Sequence, residues 1–194
     1  MRETKTVLNA IQHNMSREKY LILDQQSDLK HEFYQGEVFA MSGGTFNHAT
    51  IARNILAQLF AQLRGSPCQP MNSDMRIHTP AGLDTYPDIS VYCGEPELTD
   101  NQCSLLNPVI IIEVLSPSTR SYDRGDKFML YRSISVLLDY VLVDSEQVLV
   151  EHYRRTENNE WILHEYRDVQ ESVYLQSIKD HLLLIDMYES VKFP

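Results

Sequence analysis

A glutamate set inside an unbroken apolar run constrains this chain more than any other feature. In N-P-V-I-I-I-E-V-L-S-P, Glu113 follows one valine and three isoleucines, precedes Val114 and Leu115, and has a proline on either flank. Such a run reads as a buried strand, and a carboxylate within it must be paired, protonated or bound to a cation. A second acid, Asp88, opens another strand-like segment, Y-P-D-I-S-V-Y. Alternate side chains of a strand share a face, which groups Glu113 with Ile111 and Leu115, and Asp88 with Ser90 and Tyr92. If the two strands are neighbours, at a spacing of about 4.8 Å, both carboxylates can grip one divalent cation.

The chain has 194 residues, 43% of them hydrophobic, enough for one domain with a substantial core and too few for two. A single domain over 1–194 is expected, with 1–15 as a candidate loose N-terminal arm. No apolar run approaches the roughly 20 residues that span a bilayer, and the first fifteen residues lack the apolar centre of a signal peptide. A soluble, cytoplasmic protein is the expectation. Cys68, Cys93 and Cys103 are odd in number and show no C-x-x-C spacing, which argues for reduced thiols over a disulfide framework or a thiolate zinc site. The net charge of −10 opposes a simple nucleic-acid binder, whose phosphate contacts leave a basic footprint. Carboxylates that hold cations would offset part of it, and Arg120, Arg124, Lys127 and Arg132 form one basic cluster, read equally well as a solvated helix face.

Local signals order the elements. Ser16 before R-E-K-Y-L-I-L predicts a capped helix over about 17–26. H-E-F-Y-Q-G-E-V-F-A-M alternates around Gly36 as a hairpin does, with Q-G at the turn. From Asn47 to Leu63 the apolar residues Ile51, Ile55, Leu59 and Leu63 recur every four, the stripe of a helix packed on a sheet, stopped by Gly65 and Pro67. A strand at about 71–78 precedes the Asp88 strand, a polar loop covers 94–107, and the Glu113 strand follows. One helix is predicted over about Asp123–Ser133, then strands near 137–143, 148–155, 161–167 and 172–177, with V-D-S-E-Q as a turn.

In order, H-E-F-Y-Q-G-E-V-F-A-M-S-G-G-T-F-N-H, Y-P-D-I-S-V-Y, I-I-E-V-L-S-P-S-T-R-S-Y-D-R-G-D-K-F-M-L-Y and D-Y-V-L-V-D resemble the Uma-type restriction endonuclease family, itself similar to the PD-(D/E)xK nucleases. The likeness runs from about residue 16 to L-L-L-I-D-M-Y. It implies an α/β (α+β) restriction-endonuclease-like core, with a central mixed sheet flanked by helices and extra antiparallel strands, and a Mg²⁺ or Mn²⁺ site that cleaves phosphodiesters in DNA. By position Asp88 matches the Asp of the P-D signature and Glu113 the acid of (D/E)xK. The lysine two residues later is absent, since position 115 is leucine. Lys127 in the following helix is the nearest substitute, with Asp123 and Tyr131 on the same helix face. The Val114 carbonyl would complete the metal's oxygen ligands. Glu37 is a candidate further acid from an early element, against the alternative of a solvent-facing edge glutamate. His48, in the first turn of a helix after Gly43 and Gly44, is a candidate phosphate-side residue, against a cap or packing role.

No G-x-S-x-G, H-E-x-x-H or G-x-G-x-x-G occurs, so serine hydrolase, zincin and dinucleotide chemistries lack their motifs. The expected function is a metal-dependent DNA endonuclease, with a homodimer a natural form for cutting two strands. The alternative is a nuclease-fold module that binds nucleic acid or a partner protein without cutting.

Overall fold

In the computed structural model, residues 10–41 and 43–193 are described. Helix α1 covers Arg17–Gln26, and the Ser16 hydroxyl accepts from Lys19 N. Strands β1 (His31–Tyr34) and β2 (Glu37–Ala40) form the expected hairpin. Both turn residues take positive φ, 48° at Gln35 and 84° at Gly36, the twist that suits a two-residue hairpin and that glycine adopts without cost. Of the supposed loose arm, residues 1–9 lie outside the described residues. Ile11, Gln12 and Met15 are not loose, because their backbones bond to Val38 and Gly36 beside β2.

Helix α2 spans Phe46–Gln62, with Thr45 Oγ1 accepting from His48 N. Ile51, Ile55 and Leu59 are fully buried. Each contributes roughly 1.5–3 kcal/mol by leaving water, against about 1 kcal/mol for the cap, so the apolar stripe fixes the helix on the sheet. After α2 come β3 (Cys68–Asn72), β4 (Arg76–His78), β5 (Asp84–Thr85), β6 (Ile89–Cys93), β7 (Leu98–Thr99), β8 (Ser104–Leu105) and β9 (Ile110–Leu115). The segment read as one strand over 71–78 is thus two, separated by a turn. The supposed loop at 94–107 contains β7 and β8, strands of two residues that are too short for a periodic signal.

The predicted helix over 123–133 is broken. Helix α3 (Arg120–Arg124) and helix α4 (Asp126–Tyr131) meet at Gly125, where an added Cβ would stand 3.2 Å from the Ser121 carbonyl oxygen. Beyond them lie β10 (Asp139–Asp144), β11 (Val150–Arg155), β12 (Trp161–Tyr166), β13 (Ser172–Leu175), β14 (Asp180–Leu183) and α5 (Leu184–Met187). The main sheet has the order β12-β11-β10-β9-β6-β3. It is mixed, since β9 and β10 run parallel and the remaining neighbours antiparallel. A second sheet, β2-β1-β5-β4-β8-β7, and the hairpin β13-β14 complete the fold.

Strand β9 is buried on both faces. Ile110, Ile112 and Val114 join α2, β13, β14 and α5 in one core, while Ile111 and Leu115 join Phe128 and Tyr131 of α4 and Tyr140 of β10 in another. Parity places Glu113 in the second group, beneath α3 and α4. There Phe128 stacks on Tyr140, ring centroids 4.9 Å apart.

Two expectations about side chains fail. Cys68 and Cys93 are directly paired across β3 and β6 and form a disulfide, leaving Cys103 free. Sequence spacing could not show this, because residues 25 apart are brought together only by strand register. The basic cluster is not an open stripe either: Arg120 pairs with Glu146, Arg124 with Glu151, Lys127 is buried, and Arg132 lies over the Phe128 ring.

Candidate active site

The register of β6 and β9, with Ile89 opposite Ile112 and Ser90 opposite Ile111, carries Asp88 to a place opposite Glu113 just as β6 begins. The pair is tied to the backbone: Val114 N donates to Asp88 Oδ2 at 2.7 Å, and Asp88 N to Glu113 Oε2 at 3.4 Å. In an antiparallel ladder one residue's N–H and C=O face the same neighbour. The Val114 carbonyl therefore points past the end of β6, into the cavity it lines with both acids. This cavity has a volume of about 120 Å³.

Its floor is buried and charged. Lys127 Nζ lies 2.9 Å from Glu113 Oε1 and 2.9 Å from Glu32 Oε1, with Asp123 Oδ1 at 3.7 Å. The Tyr131 hydroxyl donates to Glu113 Oε1 at 2.9 Å, and Thr85 Oγ1 donates to Glu32. All four ionic side chains on this floor are at most 6% exposed, whereas Asp88 and His48 at the mouth are 20% and 18% exposed. Burial pushes the Glu113 carboxyl up to about 8, against the pull of the Lys127 ammonium and with help from Asp123 and Asp88. Burial raises Asp123 as well. For Lys127 burial works the other way, yet Glu113, Glu32 and Asp123 together raise its pKa well above the ordinary lysine value. The directions are consistent if the ammonium stays charged, because one cation cannot neutralise three carboxylates and the surplus favours a retained proton or another cation.

His48 lines the mouth of the cavity. Its Nε2 lies 3.3 Å from Asp88 Oδ2. Burial disfavours its charge, but Asp88, then Glu113 and Asp123, more than offset this and raise its pKa. Gly44 makes room for the ring, since a Cβ there would fall 2.5 Å from His48 Nδ1 and 2.7 Å from Cγ. Gly44→Ala is expected to move the ring off Asp88 and so lower the His48 pKa, read from the NMR titration of its Cε1 proton. An unchanged titration would show that Gly44 does not set the ring position.

Among the described residues, no group of three His, Cys, Asp or Glu side chains is set to hold an ion by itself. A hard cation of the Mg²⁺ type needs fewer protein ligands, because it keeps several waters and takes one or two carboxylates. Asp88, Glu113 and the Val114 carbonyl are all-oxygen donors converging on one cavity with surplus negative charge, and they fit such an ion.

Over residues 17–182 the chain matches the family described as "Uma2: Putative restriction endonuclease". The chain belongs to the Uma2 family. Two relatives come from Synechocystis sp. "Uncharacterized protein slr1290" is 33% identical over 180 residues, covering 92% of this chain and 94% of its own length. "Uncharacterized protein sll1609" is 36% identical over 149 residues, covering 76% and 84%. Among solved structures, the crystal structure of "a putative nuclease belonging to DUF820" from Anabaena variabilis superimposes with a TM-score of 0.73 at 18% identity, over 90% of this chain and 98% of that one. That likeness shows the fold, a restriction-endonuclease-like arrangement of mixed sheets flanked by helices.

Of the two glutamates on the β1–β2 hairpin, the one singled out from the sequence does not line the cavity. Glu37 stands outside the cavity, half-exposed and 3.2 Å from His13. Glu32 lies inside it. In the hairpin register Tyr34 faces Glu37 and Glu32 faces Phe39, so both glutamates project from one face, and alternation cannot choose between them. Distance along the strand does. Glu32 sits two residues, roughly 6.6 Å, further from the turn, beneath α4. Asp123, expected on the same helix face as Lys127, is itself a cavity acid.

Proposed function

We propose that this Uma2 chain is a Mg²⁺- or Mn²⁺-dependent endonuclease that hydrolyses phosphodiester bonds in DNA. The observation that carries this reading is the pairing of Asp88 with Glu113 at adjacent strand ends, with Lys127 hydrogen-bonded to Glu113. Asp88, Glu113 and the Val114 carbonyl would hold the cation, which supplies Lewis-acid polarisation of the phosphate and a lowered pKa for water. Lys127 has three N–H donors. Two are spent on Glu113 and Glu32, and the third is left for the nucleophilic water or a phosphate oxygen. Glu32 fixes the direction of that amine, as strand position 115 cannot. His48, beside Asp88 at the mouth, would when protonated meet the negative phosphate with positive charge.

The test is calorimetric titration of Mn²⁺ and Mg²⁺ into the protein, with plasmid nicking assayed on the same samples. Binding that tracks nicking, with both abolished by chelator, supports the reading. An absence of both binding and nicking refutes it. A second reading is supported by the tight ion pairing of Lys127: a nuclease-fold module that binds nucleic acid or protein without cutting. Such a module keeps its DNA affinity in chelator, whereas a metal-dependent acidic nuclease loses most of it.

A further inference from the structure

The cavity is not closed at the His48 end. A second depression shares His48, Gly44, Tyr86 and Asp88 with it and continues beside α2 to Arg53 and Leu56. A third shares Arg53, Leu56 and Asn72 with the second and ends at Phe60. His48, Ala52, Leu56 and Phe60 follow one another at four-residue spacing, so the three depressions form one trough along a single stripe of α2. From His48 to Phe60 it runs about 18 Å at 1.5 Å per residue. Strand β3 supplies the other wall through Pro70, Met71 and Asn72.

The groups in this trough are the wrong ones for a core and the right ones for a strand of nucleic acid. Arg53 is exposed, and among the described residues its guanidinium has no carboxylate partner. Among the described residues it bonds only the Asn54 side-chain oxygen, at 2.9 and 3.2 Å. Asn54 is itself buried and anchored by donating to the Met187 and Glu189 carbonyls, so Arg53 is a positioned free cation. Phe60 is 62% exposed, and the Arg64 guanidinium lies 5.9 Å from its ring centre. An aromatic face beside a guanidinium is a stacking platform for an unpaired base. Lys30 lines the trough too, but it is engaged by Asp74, and Asp28 adds a negative charge. So few free cations in a chain of charge −10 do not make the basic footprint of a duplex binder.

We propose that a single nucleic-acid strand runs from the Asp88–Glu113 cavity along α2, with Arg53 taking a phosphate beside the scissile one and Phe60 stacking a base further on. This rests on the nuclease reading and names its substrate as a single or unpaired strand. Both side chains are exposed, so their replacement leaves the core intact.

The experiment is fluorescence anisotropy with a labelled twelve-nucleotide single strand and the matching duplex, at several salt concentrations with and without Mn²⁺. It compares wild type, Arg53→Ala, Arg53→Lys, Phe60→Ala and Arg167→Ala, the last a surface control on an exposed arginine paired with Glu165. Wild type should prefer the single strand. Arg53→Ala should weaken its binding about tenfold and lower the salt slope by about 0.7, the value for one phosphate contact on a single strand. Arg53→Lys should restore the slope, Phe60→Ala should weaken binding at least fivefold, and Arg167→Ala should change nothing. If wild type binds and nicks nucleic acid while Arg53→Ala and Phe60→Ala match it, the trough is overturned and the nuclease reading stands. Tighter binding of the duplex overturns the single-strand assignment, and no binding or nicking by wild type overturns both.

Discussion

Glu113→Gln is expected to abolish Mn²⁺ and Mg²⁺ binding in calorimetry and to lower plasmid nicking by at least ~10²–10³-fold, the scale for removing one group that acts on transition-state charge. The fold should survive. Glutamine keeps the shape and can still accept from Tyr131, and Lys127 retains Glu32. Removing a buried carboxyl that burial has already pushed up to about 8 also removes a source of instability. The sign follows from proton linkage. A carboxyl raised in the folded state binds its proton more tightly there, so its linked stability is present at low pH and is lost as pH rises from the unfolded value near 4.5 through the folded value near 8. Urea unfolding across that window should therefore show a falling stability in wild type and a flatter curve in Glu113→Gln. Asp88→Asn should match its loss of nicking. Metal-dependent nicking retained in both variants would remove the carboxylate pair from the mechanism.

Lys127→Met is expected to destabilise the fold by about 3–5 kcal/mol at neutral pH, the usual cost of removing one partner from a buried charge group. Methionine fills much of the same volume, so the loss is electrostatic. Glu32, Glu113 and Asp123 would be left together with no ammonium among them. The folded-state pKa values of Glu113 and Asp123, already raised by burial, would then rise further, making the loss largest at high pH and smaller on acidification, as these two carboxyls take up protons. Denaturant midpoints at several pH values measure this directly. A variant as stable as wild type at pH 8 would show that these carboxylates do not depend on Lys127 for compensation.

The elements that were legible in the sequence are those whose signal is local. Ser16 caps α1, Q-G turns the hairpin, and the four-residue apolar rhythm of Ile51, Ile55 and Leu59 names the buried face of α2. The face of Glu113 was legible as well, because strand parity is a property of counting. Its position opposite Asp88 required the two strands to be neighbours, and the register between β6 and β9 met that condition.

What stayed illegible depends on distances between segments far apart in the chain. The break at Gly125 arises where two short helices turn over β9, and the helical rhythm on both sides conceals it. The second sheet is assembled from pieces as short as two residues, whose stability comes from neighbours and not from propensity. The arginines of α3 look free in sequence and are paired in space with Glu146 and Glu151. Cys68 meets Cys93 only because β3 lies against β6. That an acid at position 113 sits in a buried strand and needs a counter-charge follows from the residues around it in the chain. That Lys127, Glu32 and Asp123 stand around it follows from how distant segments pack. The reason is that helix and strand periods are set by the residues next in the chain, whereas the charge partners of a buried group are chosen by which surfaces pack together.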